Sequence, residues 1–153
     1  MYEFRLTPAK YVKEHAYSML QAHWDEVGRL GMGDGLDLDI DWDTYTQAEE
    51  IGVAYTVATF YEDEIVGYIQ VFIHKHPHHK DDLCAGSSNF FMKKEHRGTH
   101  AANEMLRHTE EVAKDKGIKY VTMMSNLEQP VDPWLKGNGY HHSDNLFTKE
   151  LEI

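Results

Sequence analysis

Residues 96–106, HRGTHAANEML, set an Arg-Gly pair directly before small residues that open a helical pattern. An extended stretch, Ser88-Asn89-Phe90-Phe91-Met92, stands ahead of it. A strand that ends in a tight turn and opens a helix leaves several backbone N–H groups unpaired and aimed at one spot, where the helix dipole favours negative charge. The segment reads either as a phosphate cradle or as an ordinary strand-to-helix turn.

A second candidate is the acidic run GDGLDLDIDWDTYTQAEE, where Asp34, Asp37, Asp39, Asp41 and Asp43 recur with Trp42 and Tyr45 among them. In an extended chain Asp37, Asp39, Asp41 and Asp43 line one face, and Leu36, Leu38, Ile40 and Trp42 the other. Such carboxylates repel one another unless solvated or offset by a cation. The run is therefore either a solubilising face or a surface for a cationic partner. It lacks the closing Gly and distal Glu of a calcium loop. Histidines number 11, and His74, His76, His78 and His79 crowd into HKHPHHKDD. With no Cys partner, no helical His-x-x-x-His and a turn at Pro77, that cluster reads as an exposed loop and no metal is expected.

Periodicity supplies the elements that must hold these residues. Tyr2–Leu6 is a short extended start, and Pro8 opens a helical spacing through Val12, Ala16, Met19, Leu20 and Val27. An acidic loop follows. Gly52–Tyr61 and Ile65–His74 are rich in Val, Ile, Thr, Tyr and Phe, with Glu62-Asp63-Glu64 as a hairpin turn between them. Leu83–Met92 is the strand before the Arg-Gly turn, and it makes Cys84 a small buried hydrophobe rather than a nucleophile. Gly98–Lys116 is a long helix with Ala102, Met105, Leu106, Thr109, Val112 and Ala113 on one face, stopped by Gly117. Ile118–Ser125 is the next strand, and Asp132-Pro133 caps a short helix.

At 153 residues, the chain has room for one core, and no repeat, linker or apolar run long enough to span a membrane interrupts it. A net charge of −11 argues against nonspecific nucleic-acid binding and toward cationic partners. The amino terminus has no basic and apolar leader pattern, and a single cysteine excludes an intrachain disulfide. A cytoplasmic home is the simplest expectation.

Arg97-Gly98-Thr99-His100-Ala101-Ala102 resembles the Arg/Gln-x-x-Gly-x-Gly/Ala signature of the GNAT superfamily of N-acetyltransferases. Arg97 and Ala102 match, and His100 stands where the family usually has glycine. The resemblance covers nearly the whole chain. EDEIVGYI looks like the family's second hairpin, and GNGYHHSDNLFTKELEI resembles its closing Gly-Phe motif and last hairpin, with Gly139-Tyr140 in the Gly-Phe place. It implies an α/β, GNAT-like single domain over residues 1–153, with a mixed, mostly antiparallel sheet flanked by helices and splayed at the acetyl-CoA site.

The same resemblance implies acetyl-CoA as cosubstrate. Its pyrophosphate would lie on Arg97, Gly98, Thr99, His100, Ala101 and Ala102, its pantetheine arm along the amides of Phe90 and Met92, with Asn126 also in contact. In this family the segment after the first helix shapes the acceptor site, so Asp39, Asp41, Trp42 and Asp43 are expected to bind a primary amine of a cationic acceptor: a polyamine, an aminoglycoside or a protein lysine. The family's frequent glutamate base falls at Gly86, and its tyrosine acid at Leu135. Ser87, beside Gly86, and His141, with His142 next to it, are the catalytic candidates that remain. The departures at Gly86, His100 and Leu135 keep open the alternative of a non-catalytic binding or structural protein on the same fold. A homodimer is compatible with either.

Overall fold

The computed structural model describes residues 1–28, 37–127 and 129–152. Strands β1 (Tyr2–Leu6), β2 (Ala54–Tyr61), β3 (Glu64–His76), β4 (His79–Met92) and β5 (Ile118–Met123) form one sheet in chain order. The first four pair antiparallel, and β5 joins β4 in parallel. Helices α1 (Ala9–His15) and α2 (Tyr17–His23), a π-helical turn at Trp24–Gly28 and helix α3 (Trp42–Glu50) cover one face. Helix α4 (Ala101–Asp115) covers the other, with the short helix α5 (Asp132–Gly137) beside it. The mixed, mostly antiparallel sheet between helices is the expected α/β architecture.

Each face has its own core. Tyr55, Val57, Val66, Ile69, Val71 and Ala85 meet Met105, Leu106 and Ala113 of α4. On the opposite face, Ala58, Phe60, Ile65, Tyr68 and Phe91 meet Val12, Met19 and Leu20 of the first two helices. The β2–β3 turn is made by Glu62 and Asp63 at φ 49° and 65°, the left-handed pair that a two-residue hairpin of this twist needs. Helix α3 anchors the start of α1, because both carboxylate oxygens of Glu49 accept from the Ala9 amide at 3.0 and 3.1 Å.

Three expectations need correction. The helical run after Pro8 divides at Ala16, whose φ of −129° and ψ of 18° lie outside the helical region. The acidic segment holds a helix where a loop was expected: Asp41 caps α3, its Oδ1 accepting from the Thr44 amide at 3.0 Å and its Oδ2 from the Thr44 hydroxyl at 2.6 Å. The closing hairpin does not form, as residues 141–152 carry no strand and are exposed. Five polar residues, 141–145, have no apolar alternation to bury, and their side chains bond locally, His142 Nε2 to Asn145 Oδ1 at 2.9 Å. Asp34 and Leu36 lie outside the described residues. Among those described, no helix is long and apolar enough to cross a membrane.

The seating of β4 on β3 depends on a missing side chain. A Cβ at Gly67 would stand 2.9 Å from the Phe91 carbonyl oxygen and 2.8 Å from Met92 Sδ. Backbone does not yield as a side-chain tip does, so Gly67→Val is expected to lose about 1–3 kcal/mol of stability, a fall of roughly 5 °C in Tm, measurable by thermal unfolding. A variant as stable as the parent would contradict this packing.

Candidate functional site

The site begins with a register shift. Gln70 of β3 opposes Asn89, while Phe72 opposes Gly86, so β4 carries one extra residue at Ser87–Ser88. Side chains of Leu83 and Ala85 belong to the α4 core before this bulge, and those of Phe90 and Met92 after it. The bulge therefore reverses the alternation and turns Asn89 and Phe91 toward the α1–α2 face. At the same point β5 departs. Its last partner is Ser87, opposite Met123, and the Met124 amide donates to Ser87 O at 3.0 Å. Beyond this β4 continues on β3 alone, with its other edge open. The Lys93 amide donates to Val66 O of β3 at 2.8 Å. Strand alternation then aims the amides of Phe90 and Met92 the opposite way, into the opening.

The turn after β4 leads to the start of α4. Gly98 has a φ of 77°, which a side chain would strain. The Thr99 hydroxyl donates to His96 O at 2.9 Å and accepts from the Ala101 amide at 3.2 Å. Glu104 N–H closes on His100 O at 3.0 Å. Among the described residues nothing takes the amides of Ala102 and Asn103, which point out of the helix start as donors. His100 is exposed, makes no capping bond, and lies edge-on to Tyr2 with ring centroids 5.6 Å apart. Its ring therefore rests on β1.

Arg97 ties three elements together. Its Nε donates to Met92 O at 2.7 Å, its guanidinium sits 5.1 Å from the centre of the Phe91 ring, and its two terminal nitrogens grip both oxygens of Glu26 at 2.8 and 2.9 Å. These bonds, with the charge behind them, hold the Glu26 carboxyl below the usual carboxylate range against the cost of its burial.

On the α1–α2 face the chain encloses a cavity of about 440 Å³, floored by Thr56, Tyr68, Gln70, Phe72 and Asn89 of the sheet. Its walls are Ala9, Val12, Leu20, His23 and Trp24 on one side and residues 37–42 with Thr44 and Tyr45 on the other. Leu38, Ile40 and Trp42 turn their apolar side chains inward against the core. Asp37, Asp39 and Asp41 line the rim, and Asp37 and Asp39 are exposed. Tyr45 stacks on Phe72 at 5.6 Å and accepts from Asn89 Nδ2 at 3.3 Å, linking α3 to the strand just past the bulge. Tyr45's phenol is pushed up by burial and by Asp41, and the Asp41 carboxyl is lowered by its bonds from Thr44. His23 is buried, with its Nδ1 2.7 Å from the Tyr68 hydroxyl and its ring stacked on Phe91 at 4.8 Å.

The residues singled out in the sequence divide accordingly. Phe90, Met92, Arg97, Gly98, Thr99, His100, Ala101 and Ala102 cluster at the open edge and helix start. Asn126 is half-buried between β5 and α5. Asp39, Asp41 and Trp42 line the cavity, whereas Asp43 in the first turn of α3 does not. Ser87 is buried at the bulge with its hydroxyl on Asn89 O at 3.3 Å, and it does not line the cavity. His141 is exposed on the strandless carboxy-terminal segment. The sequence reading passed over His23, Tyr68, Gln70 and Asn89. A histidine three and four residues beyond Leu20 and Met19, on the helix's apolar stripe, was the available signal.

A sheet that parts beside a strand-turn-helix of this kind is an established arrangement, and the model of the acetyltransferase (GNAT) family matches residues 16–139. The chain belongs to the GNAT family. As a GNAT protein it is an N-acetyltransferase. Solved structures agree on the fold. A transcriptional regulator from Bacillus halodurans C-125 superposes with a TM-score of 0.78 at 14% identity, covering 99% of this chain and 100% of that one. A predicted acetyltransferase from Clostridium acetobutylicum, solved with acetyl-CoA, gives 0.71 at 16% identity over 98% and 96%. An aminoglycoside acetyltransferase from an uncultured soil metagenomic sample, in complex with sisomicin, gives 0.69 at 8% identity over 99% and 95%. A search of curated protein sequences yields no significant match.

The Arg97–Glu26 pair has a definite pH signature. A carboxyl lowered on folding stabilises the fold above its ordinary pKa, and that contribution is lost as the pH falls through the lowered value. Glu26→Gln should therefore reduce Tm at neutral pH and converge on the parent as the pH falls through the lowered value, in unfolding curves collected from neutral to acid pH. An equal Tm difference at both ends would show that the pair contributes nothing through its charge.

Proposed function

We propose that this GNAT protein transfers the acetyl group of acetyl-CoA to a primary amine of a cationic acceptor held in the 440 Å³ cavity. One observation carries the reading. The carboxylate-rimmed, aromatic cavity reaches Asn89, on the stretch of β4 that β5 has left. The diphosphate is assigned to the amides between Gly98 and Asn103 and to Arg97, which would exchange Glu26 for a phosphate oxygen. The pantetheine arm fills the gap between β4 and β5, bonding the outward amides of Phe90 and Met92. One of these amides also faces the carbonyl oxygen where negative charge develops, the stabilisation that matters most in acyl transfer. The acceptor enters from the opposite face, drawn by Asp37, Asp39 and Asp41. A neighbouring fold solved with sisomicin supports a polyamine-like acceptor of this kind.

Acetyl-CoA at about a hundred times its Kd should stabilise the protein by roughly 2.7 kcal/mol in a thermal-shift assay. His100→Asp separates binding from folding. A carboxylate at a helix start stabilises by about 0.5 kcal/mol but repels a diphosphate, so Tm should hold or rise while acetyl-CoA affinity falls at least about tenfold. Undiminished affinity would place the diphosphate elsewhere.

The rim makes a separate prediction. A carboxylate–ammonium contact near 4 Å in water is worth about 1 kcal/mol, roughly fivefold, so several must act together. Changing Asp37, Asp39 and Asp41 together to Asn keeps a capping side chain on α3 and should raise the acceptor's KM on the order of a hundredfold, with the KM for acetyl-CoA nearly constant. Raising salt until the Debye length shrinks from about 8 Å to about 3 Å should do the same to the parent and little to the variant. If the triple variant acetylates sisomicin and spermidine as well as the parent, the rim is a solvated face only.

A further inference from the structure

The cavity holds one more group able to do chemistry. His23 ends α2, is only 8% exposed, and lines the cavity on the side nearest β4, its ring stacked on Phe91, two residues past Asn89. Tyr68 engages Nδ1 at 2.7 Å, which leaves Nε2 as the ring nitrogen for another partner. His23 lines the cavity, and among the described residues no hydrogen bond engages Nε2. Neither Ser87 nor His141 has this combination of shelter and access, and the family's base position holds Gly86.

We propose that His23 is the catalytic base of the transfer reaction, accepting the acceptor's proton at Nε2 while Tyr68 fixes the ring through Nδ1. The proposal rests on the acetyl-transfer reading above. In the required tautomer Nδ1–H donates to the Tyr68 oxygen. The Nε2 lone pair takes one proton from the ammonium, freeing the nitrogen lone pair to form the C–N bond with the thioester carbon. The C–S bond breaks, and its electron pair leaves on sulfur as thiolate. The second proton shed by nitrogen passes to that thiolate, and the imidazolium returns its own to solvent at the cavity mouth.

The surroundings keep the ring unprotonated and so able to accept a proton. Burial above all holds His23 down to about 4, with Glu26 pulling it up and Arg97, less strongly, pulling it down, so the ring is neutral at neutral pH. Tyr68 from β3, Arg97 beyond β4, Glu26 on the following turn, Tyr45 from α3 by way of Tyr68, and the rim carboxylates are the titratable groups facing the ring. A diphosphate on Arg97 cancels the charge that lowers His23 and releases Glu26, which raises it. Cofactor binding thus increases the base's proton affinity when it is needed.

The test measures thiol release from acetyl-CoA with sisomicin, spermidine or a lysine peptide, as a function of pH, for the parent, His23→Gln and Tyr68→Phe. The Gln amide can still donate to the Tyr68 oxygen but does not titrate. Its kcat should fall at least about a hundredfold, its KM for acetyl-CoA should stay unchanged, and the acidic limb of the parent's kcat/KM profile should vanish. Tyr68→Phe leaves the base but removes the bond favouring its charged form, so that limb should move to lower pH with a smaller loss of kcat. That second variant decides the matter should His23→Gln fail to fold. A folded His23→Gln with the parent's kcat and profile, or a Tyr68→Phe whose acidic limb does not move, overturns the role of His23 and leaves acetyl transfer standing. No turnover by the parent with any of the three amines overturns the acetyl-transfer reading and this inference with it.

Discussion

One extra residue in β4 shapes everything functional in this protein. A strand paired on both sides has no amide to spare, and regular alternation would have kept every second side chain of β4 on one face throughout. The bulge at Ser87–Ser88 breaks both conditions together. It coincides with the last contact to β5, which opens the edge, and it reverses the facing of the residues beyond, which sends Asn89 and Phe91 to the α1–α2 side. Phe90 and Met92 keep their side chains in the α4 core while their amides look into the gap. A single insertion in register thus makes an opening on the strand's edge and a polar floor on its face.

Such a strand would be unstable without support, because an open edge at mid-sheet exposes backbone and loses pairing. Three features compensate. Gly67 lets β3 approach the far end of β4 closely, Arg97 clamps Met92 O from beyond the strand, and the same guanidinium braces Phe91 and Glu26. The strand is thereby fixed at both ends of the unpaired stretch: by β5 at Ser87 and by Arg97 at Met92. On the proposed reading, fixing the strand in this way lets its two faces serve different ligands.

Much of this was legible in the residues. The five strands and the long helix α4 follow from periodicity, and Glu62-Asp63 is a turn in the sequence as in the structure. The signature around Arg97 located the open edge because it is local in sequence and its physics is local too. The rest was hidden for reasons of distance. The bulge is a mismatch between two strands, and nothing in Gly86-Ser87-Ser88 alone announces it. His23 acquires meaning only from Tyr68, 45 residues away in the chain. Helix α3 was concealed because a carboxylate run favours a solvated loop, whereas Asp41 spends its charge on Thr44 as a cap and starts a helix within the run. The closing hairpin failed the other way: a family resemblance supplied a strand that residues 141–145 lack the apolar alternation to build.

Charge completes the design. With 26 acidic against 15 basic residues the chain as a whole repels anions, and an anionic ligand must find a local exception. Arg97, bonded to Met92 O, and the outward amides at the start of α4 supply it at the open end of β4. The rim carboxylates stand on the opposite side, beyond the sheet's polar floor. Arg97 is itself held by a carboxylate, Glu26 of the turn after α2. That pair therefore links the two sites: whatever competes for Arg97 alters the charge beside Glu26, and Glu26 is the carboxylate whose field reaches His23. The acidic composition, which in the sequence pointed to a cationic partner, would on the proposed reading also let an anion bound at Arg97 be felt by the ring of His23.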